Sequence, residues 1–468
     1  MGKKILYYVP SVVVPVVINL IIIVLCGIYL PPAEYGIMSI YTTTITLLYS
    51  LGLAFIQNSA LRFFTDDRCR DKSVYFTTFV ISNLLMSLLL TLIVIVIRLF
   101  IPALNVALVS ISVLANGLYM LCVNIDRLED KHITYTFERC IAALIDFALF
   151  CIFIFVFRHY TFITPVISLY GSYLLVAIIK LGQNARYFKI SKFSKQIFID
   201  SYKFGLPLIG VAVVGSLIAN SDQYMLLYYL DEASVGLYSL GYKISDYSVT
   251  RFTSLLLIVA TPAIIKYYDQ KQFEKSSRTI ISTVESIIWV WFALMSLVLM
   301  YSSELIKYVF PNYAGADTVM QVVIVAALFH CISELYCKPF ELVKKTKELM
   351  TYTFIAGAIN IIYNLVFIPI QGVIAAAISS VIAYVVLDLL LFIKGKKYMD
   401  LTPELSLSIK MLITAAITCL FAFLMKITIG CNSLFSFILQ VIICGIIYLS
   451  ISYFTGQITQ VFQIGRRK

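Results

Sequence analysis

The chain has 468 residues, 61% hydrophobic and 13% charged, with a formal net charge of +11. A mean hydropathy of +0.93 and repeated apolar runs of about 20 residues exclude a soluble globular domain and predict an all-α polytopic membrane protein. Membrane-barrel strands would alternate over ~10 residues, and no such alternation is present.

In chain order, fourteen spans are predicted: 9–30, 37–61, 74–98, 104–125, 133–157, 162–182, 204–228, 236–263, 280–303, 317–337, 351–370, 372–393, 409–428 and 434–454. The first follows Met-Gly-Lys-Lys, is long enough to span and lacks a small-residue cleavage site, so it reads as a helix rather than a leader. Connections on the side of the N terminus hold 27 Lys and Arg, and those on the opposite side hold three: Arg98, Arg158 and Lys307. This split predicts that both termini are cytoplasmic. It also accounts for the +11, so the expected partner of the basic loops is the lipid bilayer and not nucleic acid. The opposite-side connections are short, the longest (304–316) about thirteen residues, which argues against an enzyme with an external catalytic loop.

Between the sixth and seventh spans, residues 183–203 carry Ile190, Phe193 and Ile197 among Lys189, Lys192 and Lys195. That spacing predicts an amphipathic helix on the inner surface. The expected organisation is a first lobe of six helices (1–182), this linker (183–203), a second lobe of six helices (204–395), and two accessory helices with a basic tail (396–468).

An internal repeat supports the two lobes. Leu30-Pro31-Pro32-Ala33-Glu34-Tyr35-Gly36-Ile37-Met38-Ser39 matches Leu230-Asp231-Glu232-Ala233-Ser234-Val235-Gly236-Leu237-Tyr238-Ser239 at an offset of 200 residues. Both copies fall between the first and second spans of a set of six, with the same orientation. Parallel repeats of this kind place a binding site between two halves.

The spans also carry charges, which are costly there unless paired or functional. Asp222 lies in the seventh span, and Lys243, Asp246 and Arg251 lie in the eighth. Asp222 and Lys243 sit at similar depth and are expected to pair, either as a structural tie or as part of a coupling site. Lys243, Asp246, Thr250, Arg251 and Ser254 fall on one polar arc of the helix. Arg251 has no acidic neighbour at helical spacing and is expected to meet an anion. Tyr247 shares the arc and either stacks on a ligand or anchors the helix. Asp246 partners Lys243 or contributes to coupling. In the fifth span, Arg139 is a further candidate cation beside Glu138, and Asp146 is a deep carboxylate suited to ion coupling or to a hydrogen-bonded structural role. His330 and Glu334, four residues apart, form a structural pair or a proton relay. Asp388, Lys180, Lys410 and Lys426 lie near span ends, where side chains snorkel. The ten cysteines are scattered, with no C-x-x-C, and read as apolar core residues; the histidines are not spaced for a metal, and no cofactor is expected. The Asp66-Asp67 pair lies in a short basic loop with no fold around it for a nucleotide sugar.

The motif Asn360-x3-Asn364-x4-Pro369-x2-Gly372-x2-Ala375-Ala376-Ala377 resembles the corresponding segment of polysaccharide transporters. So do the Leu30-x3-Glu34-Tyr35-Gly36 turn and Asp222-Gln223-Tyr224 followed by Val235-Gly236-Leu237-Tyr238-Ser239. These are the O-antigen and exopolysaccharide flippases of the multidrug/oligosaccharidyl-lipid/polysaccharide exporter superfamily. The resemblance covers about residues 5–395. It implies a V-shaped two-lobe transporter in the bacterial inner membrane. Such a protein moves an undecaprenyl-diphosphate-linked oligosaccharide from the inner to the outer leaflet by alternating access, with a proton or sodium gradient as the candidate driving force and a polysaccharide polymerase complex as a candidate partner. Arg251, Lys243 and Arg139 would then hold the diphosphate, and Tyr247 a sugar. Many members have twelve spans; fourteen is closer to the lipid II flippase relatives. The rival readings are a cation-coupled drug antiporter of the same superfamily and, ranked last, a membrane glycan polymerase or glycosyltransferase.

Overall fold

The computed structural model describes the backbone of residues 2–64, 69, 71–102, 104–129, 131–402 and 404–461, and the side chains of these except 2–9 and 204–219. Every described element is helical. Among the described residues, thirteen helical segments are long and apolar enough to cross a membrane, so the chain is a multi-pass membrane protein. The helix at Lys195–Tyr229 also covers the predicted seventh span, much of which lies outside the described side chains. Contacts divide the chain into two units, Met1–Tyr224 and Met225–Lys468.

The first unit contains α1 (Gly2–Tyr29), α2 (Pro32–Leu48), α3 (Ala54–Phe63), α4 (Lys72–Phe100), α5 (Val106–Leu128), α6 (His132–Cys151), α7 (Ile163–Gln183) and most of α8 (Lys195–Tyr229). Helix starts follow capping chemistry. Pro32 opens α2, Asp71 accepts from Ser73 N at 2.8 Å before α4, and Asn105 accepts from Leu108 N at 3.1 Å before α5. A π turn at Tyr49–Leu53 joins α2 to α3, and another at Ile152–Val156 ends α6. Each shifts the helical register by widening one turn. Helices α4, α6 and α7 pack around α5, and α1 packs on α6.

The linker corrects the sequence reading. Instead of one amphipathic helix, 183–203 forms two short 3-10 turns, Ala185–Tyr187 and Ile190–Lys192, and α8 begins at Lys195. The reason is local competition for backbone donors. Lys189 N bonds Thr77 Oγ1 at 2.9 Å and Ser194 N bonds Thr78 Oγ1 at 3.1 Å, so α4 side chains hold the segment in an extended path. Ile197 is buried while Ile190 is exposed, so the three apolar residues do not form one stripe.

The second unit contains α9 (Glu232–Asp269), α10 (Phe273–Val309), α11 (Ala316–Tyr336), α12 (Lys338–Leu342), α13 (Thr346–Gln371), α14 (Val373–Gly395), α15 (Leu405–Thr428), α16 (Leu434–Phe454) and α17 (Gln457–Val461). Small residues let its helices approach closely. A Cβ on Gly241 would lie 2.8 Å from the Ala316 carbonyl oxygen, and Ser245 Oγ donates to the Met320 carbonyl at 3.0 Å, so α9 lies directly on α11. Ala375, Ala376 and Ala377 are fully buried where α14 packs. Gly372 makes the α13–α14 turn at φ +63° and ψ −140°, a conformation that L side chains rarely adopt. Asn364 Nδ2 donates to Asn360 Oδ1 at 3.2 Å and Asn360 Nδ2 to Ser379 Oγ at 3.1 Å, joining α13 to α14.

The added pair α15 and α16 packs on α10. Trp289 Nε1 donates to Ser452 Oγ at 3.1 Å, and Tyr448 OH donates to the Trp289 carbonyl at 2.7 Å. On the opposite side of this helix, Trp291 Nε1 bonds the Ile324 carbonyl of α11 at 2.6 Å. The two tryptophans thus fasten α10 to the core and to the added pair at once.

The repeat has a structural counterpart. Leu30 N bonds the Cys26 carbonyl at 2.9 Å, and Leu230 N bonds the Leu226 carbonyl at 2.9 Å. Tyr35 N bonds the Pro31 carbonyl at 3.0 Å, and Val235 N the Asp231 carbonyl at 3.2 Å. The chains leave one helix and enter the next at residues 32 and 232, with Pro32 opening one and an Asp231 cap the other.

Candidate functional site

In the first unit, α6 carries Arg139 and Asp146 seven residues apart, two turns along one face and about 10 Å by helical rise. Both line one cavity of about 40 Å³, with Pro15, Ile18 and Asn19 of α1, Tyr119 of α5, and Leu169 and Tyr173 of α7. A space this size holds one or two waters. Tyr119 and Tyr173 are stacked with centroids 4.3 Å apart at 4°, and Tyr170 meets Tyr173 edge-on at 6.0 Å. Asp146 is buried and its Oδ1 has no hydrogen-bond partner among the described residues; the same holds for Arg139 Nε. Sequence reasoning gave these residues separate roles, and the structure brings them to one cavity. The cavity presents a guanidinium donor and a carboxylate to a small polar guest.

A neighbouring cluster has the opposite character. Lys180 of α7 places Nζ 2.5 Å from both Asp126 of α5 and Glu138 of α6, and all three residues are buried. Lys131 adds a contact to Asp126 at 3.6 Å and one to Glu129 at 2.7 Å, and Lys72 reaches Glu129 at 2.5 Å. Partial burial pushes the Glu129 carboxyl up, but its bonds to Lys131 and Lys72 prevail and hold it below the usual carboxylate range. Three carboxylates face three ammonium groups, so the cluster is balanced and fully engaged in joining α4, α5, α6 and α7. This corrects the reading of Lys180 as a snorkelling side chain, and it takes Glu138 away from Arg139.

In the second unit, the polar residues of α9 meet partners on α9 and α11. Asp246 is buried, accepts from Thr250 Oγ1 at 3.4 Å and faces His330 Nδ1 of α11 at 3.4 Å. His330 also stacks on Tyr384 of α14 with centroids 4.8 Å apart. Its partners are therefore Asp246 and Tyr384, while Glu334, one turn away, is exposed. Arg251 lies over the Tyr247 ring at 4.5 Å, a cation–π contact one turn back on the same helix. Among the described residues Arg251 forms no ion pair. Lys243 is half-buried on α9. Asp222 is buried on α8 and falls in the first unit, whereas Lys243 falls in the second.

Two further placements were not foreseen. Asp388 is buried within α14 and is not a span-end residue that reaches water. Lys426 is held by Glu304 at 2.5 Å and by the Met300 carbonyl at 2.8 Å. Asp66 and Asp67 lie outside the described residues. Among the described residues no three metal-ligating side chains cluster.

The sequence profile of the polysaccharide biosynthesis protein family matches residues 1–268. The chain belongs to this family. No curated protein matches it in sequence. Among solved structures, the fold is similar to the lipid II flippase MurJ in an inward closed conformation, with a TM-score of 0.73, 17% identity, and coverage of 97% of this chain and 99% of that one. It is also similar to a multidrug resistance MATE family transporter in an inward-facing conformation, with a TM-score of 0.65 and 14% identity over 80% of this chain and 93% of that one. A transporter of the MOP superfamily from Pyrococcus furiosus, described as having a binding pocket of reverse polarity, gives a TM-score of 0.59 at 12% identity over 85% of this chain and 96% of that one. This member of the polysaccharide biosynthesis family therefore has the all-α fold of MurJ and the MATE transporters, as the sequence motifs implied.

Proposed function

We propose that the protein is a flippase for an undecaprenyl-diphosphate-linked oligosaccharide, moving it from the inner to the outer leaflet of the bacterial inner membrane by alternating access. No bond is made or broken. The observation that carries this reading is a contrast between the basic residues of the spans. Lys180 and Lys426 are each held by carboxylates. Arg139 and Arg251, one in each unit, have no acidic partner among the described residues and sit beside tyrosine rings. A guanidinium kept in an apolar span without a counter-ion is placed to receive an anion, and its planar fork suits a diphosphate. Lys243 shares the Arg251 arc and adds a point charge. Tyr247 positions Arg251 rather than standing free for a sugar, and Tyr119 and Tyr173 offer aromatic faces in the first unit.

Family membership supports a polysaccharide-linked substrate. The 27-to-3 split of basic residues supports cytoplasmic termini. Asp146, Asp222 and the Asp246–His330 pair supply groups through which a proton or sodium gradient would reset the cycle. A polymerase complex remains the candidate partner on the product side.

The test is leaflet accessibility in proteoliposomes. A short undecaprenyl-diphosphate glycan placed in one leaflet is followed from the other. Protein-dependent transfer is expected. Proteoliposomes that fail to move the glycan but exchange cations for small amphiphilic drugs would replace this reading with the antiporter.

A further inference from the structure

The buried carboxyl of Asp388 is used neither by the packing nor by the proposed substrate site. Its residue is 6% exposed, and neither carboxyl oxygen has a hydrogen-bond partner among the described residues. It lies seven residues, about 10 Å, from the C-terminal end of α14. The adjacent side chains of Leu387 and Leu391 belong to the core shared by α9, α10, α11 and α14.

The surroundings decide its form. Helices α11, α13 and α9 pack against α14. From α11 and its end, Cys331 and Tyr336 lie in that same core and Cys337 packs against it. From α13, Tyr352 packs into the same core. These groups are acidic or neutral, and no lysine or arginine among the described residues pairs with Asp388. A carboxylate here would have neither a counter-charge nor a donor among the described residues. The neutral acid is the form that this pocket accommodates.

A route to a base is built beside it. Tyr384 lies one turn from Asp388 on the same helix and stacks on His330. His330 Nδ1 faces Asp246. Glu334 stands one turn beyond His330 and is exposed. Contacts therefore run from Tyr384 through His330 to Asp246 on the polar arc of α9, with Asp388 one turn from Tyr384.

We propose that Asp388 is a proton-binding site of the second unit, exchanging its proton with the His330–Asp246 pair. In the step itself the Asp388 O–H bond breaks, His330 Nε2 gains the proton, and the products are a carboxylate and an imidazolium held by Asp246. The coupling role of this site rests on the transporter reading; its protonation does not.

Infrared spectroscopy of protein in nanodiscs reads protonation without any substrate. At pH 7 the wild type is expected to show a neutral-acid carbonyl band that shifts in deuterated water and is missing in Asp388→Asn. Identical spectra in that region would overturn the proposal. The Asn variant mimics the neutral acid and is expected to keep the wild-type melting temperature. In proteoliposomes carrying the undecaprenyl-diphosphate glycan, an imposed pH gradient should accelerate the wild type, while Asp388→Asn and His330→Gln should lose that acceleration. A variant accelerated as strongly as the wild type would overturn the coupling role. Should the wild type move no glycan at all, the flippase reading fails, and the infrared band alone decides the proton site.

Discussion

Replacing Lys180 by Met removes the ammonium group from between Asp126 and Glu138. Both carboxylates are 5% exposed and each lies 2.5 Å from Nζ. Breaking a buried ion pair by deleting one partner costs about 3–5 kcal/mol, because the remaining charge is left without compensation. Two charges are left here. Lys131 still reaches Asp126 at 3.6 Å, but from a half-exposed position that screens it. We expect a loss of about 3–4 kcal/mol, which at ~2–4 °C per kcal/mol for a unit of this size lowers its melting by about 10 °C. The assay is the unmasking of buried thiols on heating, because Cys26 and Cys122 are 1% and 3% exposed in the first unit. Both tryptophans lie on α10 in the second unit, so tryptophan fluorescence on the same sample reports the other half and should move less. The double change Glu138→Gln with Lys180→Met restores charge balance and should recover much of the loss. A Lys180→Met protein that melts within about 2 °C of the wild type would show that the cluster contributes no more than a surface pair.

Other outcomes follow from the turns and the motif. Asp231 caps α9 through the Ser234 N–H at 2.7 Å, and that bond holds its carboxyl below the usual range. A depressed value means the cap stabilises above the unfolded carboxylate value, ~3.9, and weakens as pH falls through the folded value. Asp231→Ala should cost about 1 kcal/mol at pH 7, and Asp231→Asn should keep the cap and remove its loss in acid, as read by amide exchange at Ser234. Gly372→Ala should cost about 1–3 kcal/mol in thermal stability; the added methyl has room, the nearest atom being Leu230 Cδ1 at 4.0 Å, so the cost is in the backbone. Asn360→Leu removes the acceptor of the Asn364 amide, while Ser379 Oγ keeps its bond to the Ala376 carbonyl, and should cost about 1–3 kcal/mol.

The spans, the turn at 30 and 230, and the Asn360–Asn364 pair were legible because each is set by local chemistry: apolar run length, capping residues, and a four-residue helical interval. The partners of buried charges were not. His330 has Glu334 at helical spacing, yet it meets Asp246, 84 residues away, because α9 lies directly on α11. Lys180 and Asp388 lie three and seven residues from the ends of α7 and α14, and the sequence places both toward span ends. Only tertiary packing gives one of them two carboxylates and the other none. The linker failed for a different reason: its apolar spacing was helical, but Thr77 and Thr78 of α4 capture the backbone donors that a helix would need. The π turns leave no periodic trace, since one widened turn shifts the register by a single residue.

Arg139 and Arg251, which have no acidic partner among the described residues, are proposed to receive the diphosphate. The most direct measurement is the rate at which folded Arg139→Gln and Arg251→Gln proteins transfer an undecaprenyl-diphosphate glycan between leaflets, beside Arg251→Lys. A hydrogen bond to a charged group contributes ~1.5–3 kcal/mol, so each Gln variant should be slower by roughly 10–100-fold, with the Lys variant in between. Wild-type rates in both Gln variants, at equal protein levels and melting temperatures, would contradict the account.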